Sequence, residues 1–159
     1  MVYQPEGPNV TNYNNLSPNK FKIVIDRFPG VNFFAQRVMV PDVSIGQTPI
    51  HTNRAVDYNV VGDKIVFADL IVSFLIDEDL KSYGEILNWI YKAGDSELDA
   101  PFCDLKIIAL TNNSNSNRQF KFCNAFPHTL GSVLFDSTVS EDQPLSMDVM
   151  FKFSHFVLE

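Results

Sequence analysis

Basic residues are scarce in this chain: twelve Lys and Arg stand against nineteen Asp and Glu, a formal net charge of −7. A nucleic-acid binder needs Lys and Arg to displace counterions, so the balance argues against DNA or RNA binding. It leaves room for a surface that DNA slides past, since like charge discourages adhesion. No apolar run approaches the roughly 20 residues of a membrane helix. The opening MVYQPEGPNVTNYNN lacks both a basic region and an apolar core, so no signal peptide is expected there. Synthesis in a reducing cytoplasm follows as the expectation, and the three Asn-x-Ser/Thr sequons are read as chance.

Chemistry-bearing motifs are equally sparse. His51, His128 and His155 lie in unrelated contexts, with no Cys, His or Asp at metal-ligand spacing. There is no glycine-rich phosphate loop and no nucleophile elbow. The two cysteines, Cys103 and Cys123, lack a basic neighbour that would activate a thiol. Asp77-Glu78-Asp79 is explained by helix capping, and Glu141-Asp142 by a solvated turn beside Pro144. No acid, base or nucleophile is assembled, so no catalysis, no metal and no cofactor are expected. The single Trp89 falls in a helix, which leaves a carbohydrate-binding sandwich without its aromatic platform.

What the chain has in abundance is Phe, 14 of 159 residues. Phe is large, rigid and without a polar handle, and it suits a thick sheet core or a subunit interface. The length allows one domain with a real core. Residues 1–18, rich in Pro, Asn and Gly, read as an arm, either disordered or docked on a neighbour; residues 19–159 read as a single β domain.

Phe21 to Ile25 is a first strand, Pro29-Gly30 a turn, and Val31 to Val38 the return strand, ended by Val40-Pro41. Ile45 to Val61 is polar and weakly alternating, either an edge hairpin or an extended projecting loop. Val60 to Asp77, VVGDKIVFADLIVSFLID, reads as one long strand. Its even positions Val66, Ala68, Leu70, Val72, Phe74 and Ile76 are all apolar. Its odd face carries Ile65, Phe67, Ile71 and Leu75, interrupted only by Asp69 and Ser73. A half-buried strand would alternate, so something must cover the second face.

Asp77 to Gly94 is the one clear helix, capped by Asp77 or Asp79, with acids in its first turn and Gly94 as its stop. Leu80, Tyr83, Leu87 and Ile90 form its apolar stripe. Gly84 marks either close packing or a tolerant surface. Cys103 to Leu110 and Gln119 to Ala125 pair about the tip TNNSNSNR. Symmetric pairing sets Cys123 opposite about Lys106, too far from Cys103 for a disulfide. Phe126 to Gly131 is a corner, followed by a strand from Ser132 to Thr138. The last strand runs from Leu145 to about Leu158, with Leu145, Met147, Val149, Phe151 and Phe153 on one face. Its phase changes at His155-Phe156, as at a bulge or a crossing between sheet layers. Mostly sequential strands with one helix point to an antiparallel β-sandwich or barrel.

In order and spacing these pieces resemble the tail tube proteins of contractile-tailed bacteriophages, over about Asn19 to Glu159. The landmarks are Asn19 to Ile25; Val40-Pro41 before the polar loop, with Asn53-Arg54 inside it; and Val61-Gly62-Asp63 and Phe67 before the long strand. The Asp77–Asp79 turn, the helix with Trp89, Phe126-Pro127 and Phe135-Asp136 complete them. The resemblance implies a mainly β tail-tube fold whose strands join those of five neighbours in a hexameric ring with a continuous inner β-barrel. Such rings stack into a tube inside a contractile sheath, in a virion assembled in the host cytoplasm. The implied partners are copies of the chain, the sheath protein, baseplate or tube-initiator proteins, a tape-measure protein and DNA passing through the lumen; no membrane is implied. The loop carrying Thr48, Pro49, His51, Asn53, Arg54 and Tyr58 would reach the adjacent ring. Ile65, Phe67, Ile71 and Leu75 would meet a neighbour, and Asp69 and Ser73 would face the lumen. Alternatives on the same fold are a baseplate or tube-initiator protein forming a single ring and the secreted-tube protein of a bacterial injection system.

Overall fold

The computed structural model describes residues 15–27, 35–51, 56–95, 102–138 and 143–159. The expectations for residues 1–14 of the arm, 28–34 of the turn and return strand, Asn53, Arg54 and Glu141-Asp142 lie outside them.

Alternation sets the first ladder. In β1 (Phe21–Ile25), Phe21, Ile23 and Ile25 share a face and stand opposite Ala109, Ile107 and Leu105 of β6 (Cys103–Leu110). β6 continues through a tight turn into β7 (Ser116–Leu130), a strand of 15 residues. The turn closes early: Thr111 N–H donates to Asn115 O at 2.8 Å, and Thr111 Oγ1 accepts from Asn115 N–H. Lys106 therefore pairs with Lys121, and the expected pairing of Cys123 with Lys106 is corrected by two residues. Cys103 stands opposite Ala125, and both thiols are free.

β7 belongs to two ladders. Its first part pairs with β6 and with β9 (His155–Leu158), and Phe126 to Leu130 pairs with β8 (Ser146–Lys152). β8 pairs in turn with β5 (Leu70–Leu75), and β5 with β2 (Ala35–Met39). The path reads β1-β6-β7-β8-β5-β2. The phase change at His155 is the crossing between layers: β8 ends at Lys152, Ser154 N–H donates to Cys123 O, and β9 returns to β7. Phe126 to Gly131 is thus mostly ladder rather than corner. Residues 131–136 form no strand, correcting that expectation. Gly131 ends the ladder because it approaches β8 closely; its N–H donates to Asp148 O at 2.7 Å. Asp136 then turns the chain by accepting from Thr138 N–H and Oγ1.

The run from Val60 to Asp77 is not one strand. Among the described residues, β4 (Tyr58–Phe67) pairs only with β3 (Val43–Ile50) in a separate two-stranded sheet, and β5 begins after a break at Ala68-Asp69. Asp69 breaks the run: its carboxylate turns to partners on β7 and β8, while Ala68 N–H closes the hairpin base on Asp42 O. Within β5 the even positions Leu70, Val72 and Phe74 are fully buried, as alternation requires. They meet Met147, Val149 and Phe151 of β8 in a core shared with Ile23, Ile25, Leu105 and Phe122.

One helix, α1 (Lys81–Gly94), covers this core with Ser82, Ile86 and Trp89. Of the expected stripe of Leu80, Tyr83, Leu87 and Ile90, Tyr83 and Ile90 pack against the core as partly buried residues, while the fully buried line lies one position earlier. Leu80 is excluded because it forms a turn with Asp77 in the left-handed region, φ 53°. Trp89, only 1% exposed, then takes the central place, its ring 5.9 Å from that of Phe151. Asp77 does cap the helix: its carboxylate accepts from Lys81 N–H, Ser82 N–H and the Ser82 hydroxyl. The acids precede the first turn rather than filling it, and Gly94 is the last helical residue rather than a left-handed stop. A Cβ on Gly84 would meet open space, so that glycine marks surface.

Candidate assembly surface

With the even positions of β5 in the core, the odd ones lie on the outer face of the four-stranded layer β7-β8-β5-β2. Cross-strand register sorts that face into rows. Met39, Ile71, Met150 and Thr129 form one; Arg37, Ser73 and Asp148 form the next; Leu75 and Ser146 follow. The Ser73 hydroxyl donates to Asp148 Oδ1 at 2.5 Å. Ile71 and Leu75 are half-buried. The structure thus gathers four of the expected site residues, Asp69, Ile71, Ser73 and Leu75, on or beside one face.

Asp69 heads this face in an ion cluster. Its Oδ1 is buried against the Lys152 ammonium, and its Oδ2 lies 3.1 Å from His128 Nε2. His128 Nδ1 lies 2.9 Å from Thr129 Oγ1. The hydrogen bond from Lys152 holds the Asp69 carboxyl below its ordinary range, against the effect of desolvation, and His128 adds to it. Asp69 is therefore an anchored group rather than a free water-facing one. Burial pushes the Cys103 thiol up to about 11, so it is protonated and unreactive at neutral pH. Among the described residues, no three metal-ligating side chains converge.

The two remaining residues expected at an interface, Ile65 and Phe67, sit apart on the β3–β4 hairpin. Phe67 is half-buried at its base, with its ring 5.6 Å from Phe153 and 5.5 Å from Phe156. Ile65 is 60% exposed. Register puts Val43 and Ile45 on the same side, opposite Phe67 and Ile65. The pairing slips between Ile45 and Gln47, where Gly46 and Gly62 meet. Beyond that bulge Thr48 faces Val60 and Ile50 faces Tyr58. Near the tip His51 Nδ1 lies 2.9 Å from Asp57 Oδ2, both exposed. Thr48, Pro49, His51 and Tyr58 are therefore grouped at the far end of a projecting hairpin. Alternation of Val43 with Ile45 was its faint sequence signal; Pro49 concealed it.

Two further surfaces were not expected as surfaces; the first falls in the segment read as a strand. Leu134 and Phe135, 78% and 73% exposed, stand on the unpaired segment after Gly131. A groove of about 360 Å³ opens beside β2, where the two sheet layers part.

No protein-family model and no curated protein sequence matches this chain. Solved structures do match. A chain of the baseplate of the anti-feeding prophage, six-fold symmetrised, aligns with a TM-score of 0.71 at 9% identity, over 92% of this chain and 96% of its own. A chain of the sheath–tube complex of an extracellular contractile injection system, PVC, in its extended state, gives 0.69 at 13%, over 92% and 93%. Hcp1 from Flavobacterium johnsoniae gives 0.55 at 13%, over 87% and 93%. The protein thus has the fold of components of contractile injection systems: mainly antiparallel β with one helix. None of these three structures is described as an enzyme.

Proposed function

We propose that this chain is a non-catalytic tube subunit of a contractile tail, which closes with copies of itself into a ring and stacks ring on ring. The observation that carries the reading is the β3–β4 hairpin. Val43, Ile45, Ile50, Tyr58, Val60, Val61, Ile65 and Val66 are all exposed on a two-stranded sheet that no other described strand pairs. An isolated hairpin is marginal in water, and an exposed apolar ribbon is an association site. Ring closure and stacking cover it. The likeness to baseplate and sheath–tube components supports the same reading, as does the six-fold symmetry of the baseplate structure.

In the finer form, six copies join their four-stranded layers into a continuous inner barrel of a phage tail tube. Ile65, Phe67, Ile71 and Leu75 meet neighbours; Thr48, Pro49, His51 and Tyr58, with Asn53 and Arg54, reach the next ring. Ser73 faces the lumen, while Asp69, tied to Lys152 and His128, anchors the edge of that face. The net charge of −7 suits a bore through which DNA passes without sticking. Sheath, baseplate and tape-measure proteins are the further partners. The baseplate likeness favours one second reading, a tube initiator that makes a single ring, and the Hcp1 likeness favours a secreted tube. A carbohydrate-binding module loses its platform, because Trp89 is buried on Phe151.

Negative-stain microscopy of the purified protein tests the proposal. Long tubes are the expected result and lone rings would support the initiator. A chain that stays monomeric at high concentration would overturn the ring.

A further inference from the structure

The two ends of the four-stranded layer differ in a complementary way. At the β7 end, the chain leaves the ladder at Gly131 and presents Leu134 and Phe135 side by side to solvent. The start of this segment is anchored. Gly131 N–H is bonded to Asp148 O, and a Cβ at that position would lie 2.8 Å from the same oxygen. Asp136 turns its far end locally, accepting from Thr138. Leu134 and Phe135 form a knob that the described residues leave exposed.

At the β2 end, the sandwich has an open flank. Phe21, Ile107 and Ala109 point inward from β1 and β6, yet they line a groove bounded on its other side by Val38 and Val40 and flanked by Leu16 and Pro18 of the lead-in to β1. The groove of about 360 Å³ lies near the low end of the roughly 300–1,000 Å³ typical of ligand pockets. Its wall is largely aliphatic and aromatic, with few polar groups to orient a small molecule. Arg37 is exposed at its edge, while Asp136 follows the knob directly. Apolarity and charge match across the layer.

The geometry points to a head-to-tail contact: Leu134 and Phe135 of one copy seat in the groove between β2 and the β1–β6 ladder of the next copy. A knob and a socket on different parts of one chain make a heterologous interface, which closes into a ring when the rotation per copy permits. The proposal rests on the ring reading above and says which residues drive closure. Docking completes the core at its open flank and brings Asp136 toward Arg37.

Two exposed positions test it without touching the core. Phe135→Asp removes the knob and keeps the socket; Val40→Asp spoils the socket and keeps the knob. Thermal unfolding confirms that each variant still folds. Each alone is expected to sediment as a monomer at concentrations where the wild type forms rings. Mixed in equal amounts, they retain one intact interface, so they form a heterodimer that grows no further. Rings formed by Phe135→Asp alone would overturn the knob and leave the ring reading standing. A mixture that stays monomeric would overturn the proposal and assign the groove to another occupant, such as residues 1–14 of the same chain. A wild-type protein that never leaves the monomer would overturn both.

Discussion

A Cβ on Gly62 would lie 2.7 Å from the carbonyl oxygen of Gly46 and 2.8 Å from its carbonyl carbon. The two hairpin backbones touch there because Gly62 has no side chain. Gly62→Ala must push β3 and β4 apart at the bulge. The hairpin lies outside the core, so global stability should change by about 1 kcal/mol or less. The far end of the hairpin should be redirected, and ring or tube formation lost. Chemical denaturation paired with sedimentation checks both halves.

The core itself is centred on Phe74, Trp89 and Phe151, all essentially inaccessible to solvent. Phe74→Ala or Trp89→Ala leaves a cavity in the core and should cost about 3–5 kcal/mol. A fall in the urea midpoint at unchanged slope is the expected readout.

Ile71 lies on the outer face, next to Met39 and Met150 in register. Ile71→Lys should leave a folded monomer and block assembly, and Leu75→Lys should do the same. A soluble hexamer of Ile71→Lys in light scattering would contradict the assignment of this row to an interface.

Asp69 and Asp77 are both held below the ordinary carboxylate value of 3.8, Asp69 chiefly by Lys152 and Asp77, at about 2, chiefly by the Ser82 hydroxyl. A depressed folded-state value favours the folded form above 3.8 and loses that effect as pH falls through the folded-state value. Acid should therefore loosen the start of α1 between about pH 4 and 2. Lys152→Met should move the Asp69 carboxyl back up, read by carboxylate NMR titration. Asp77→Ala should lower the melting temperature at pH 7 and have little effect at pH 2.

The strands of the sandwich were legible because their burial is one-sided. Ile23 and Ile25, and Met147, Val149 and Phe151, alternate cleanly and are buried as read, while Phe21 on the same face is half-buried at the open flank. The break at Ala68-Asp69 was not legible, since two apolar strands in series look like one long one. Only the distant Lys152 and His128 reveal that Asp69 turns the chain. The helix register failed for a local reason. Leu80 fits the periodicity but sits in a left-handed turn, and only the Asp77 cap shows where the helix begins. Of the surface, the projecting hairpin was half visible. The Leu134-Phe135 knob was read as strand, because nothing in the sequence distinguishes an exposed Phe from a buried one.

β7 threads both layers, so the backbone of Phe122 and that of Phe126 belong to different ladders of the same strand. A tug on one layer therefore travels to the other along peptide bonds, without relying on side-chain friction between sheets. A chain stitched across its own thickness resists peeling where two merely stacked sheets would slide.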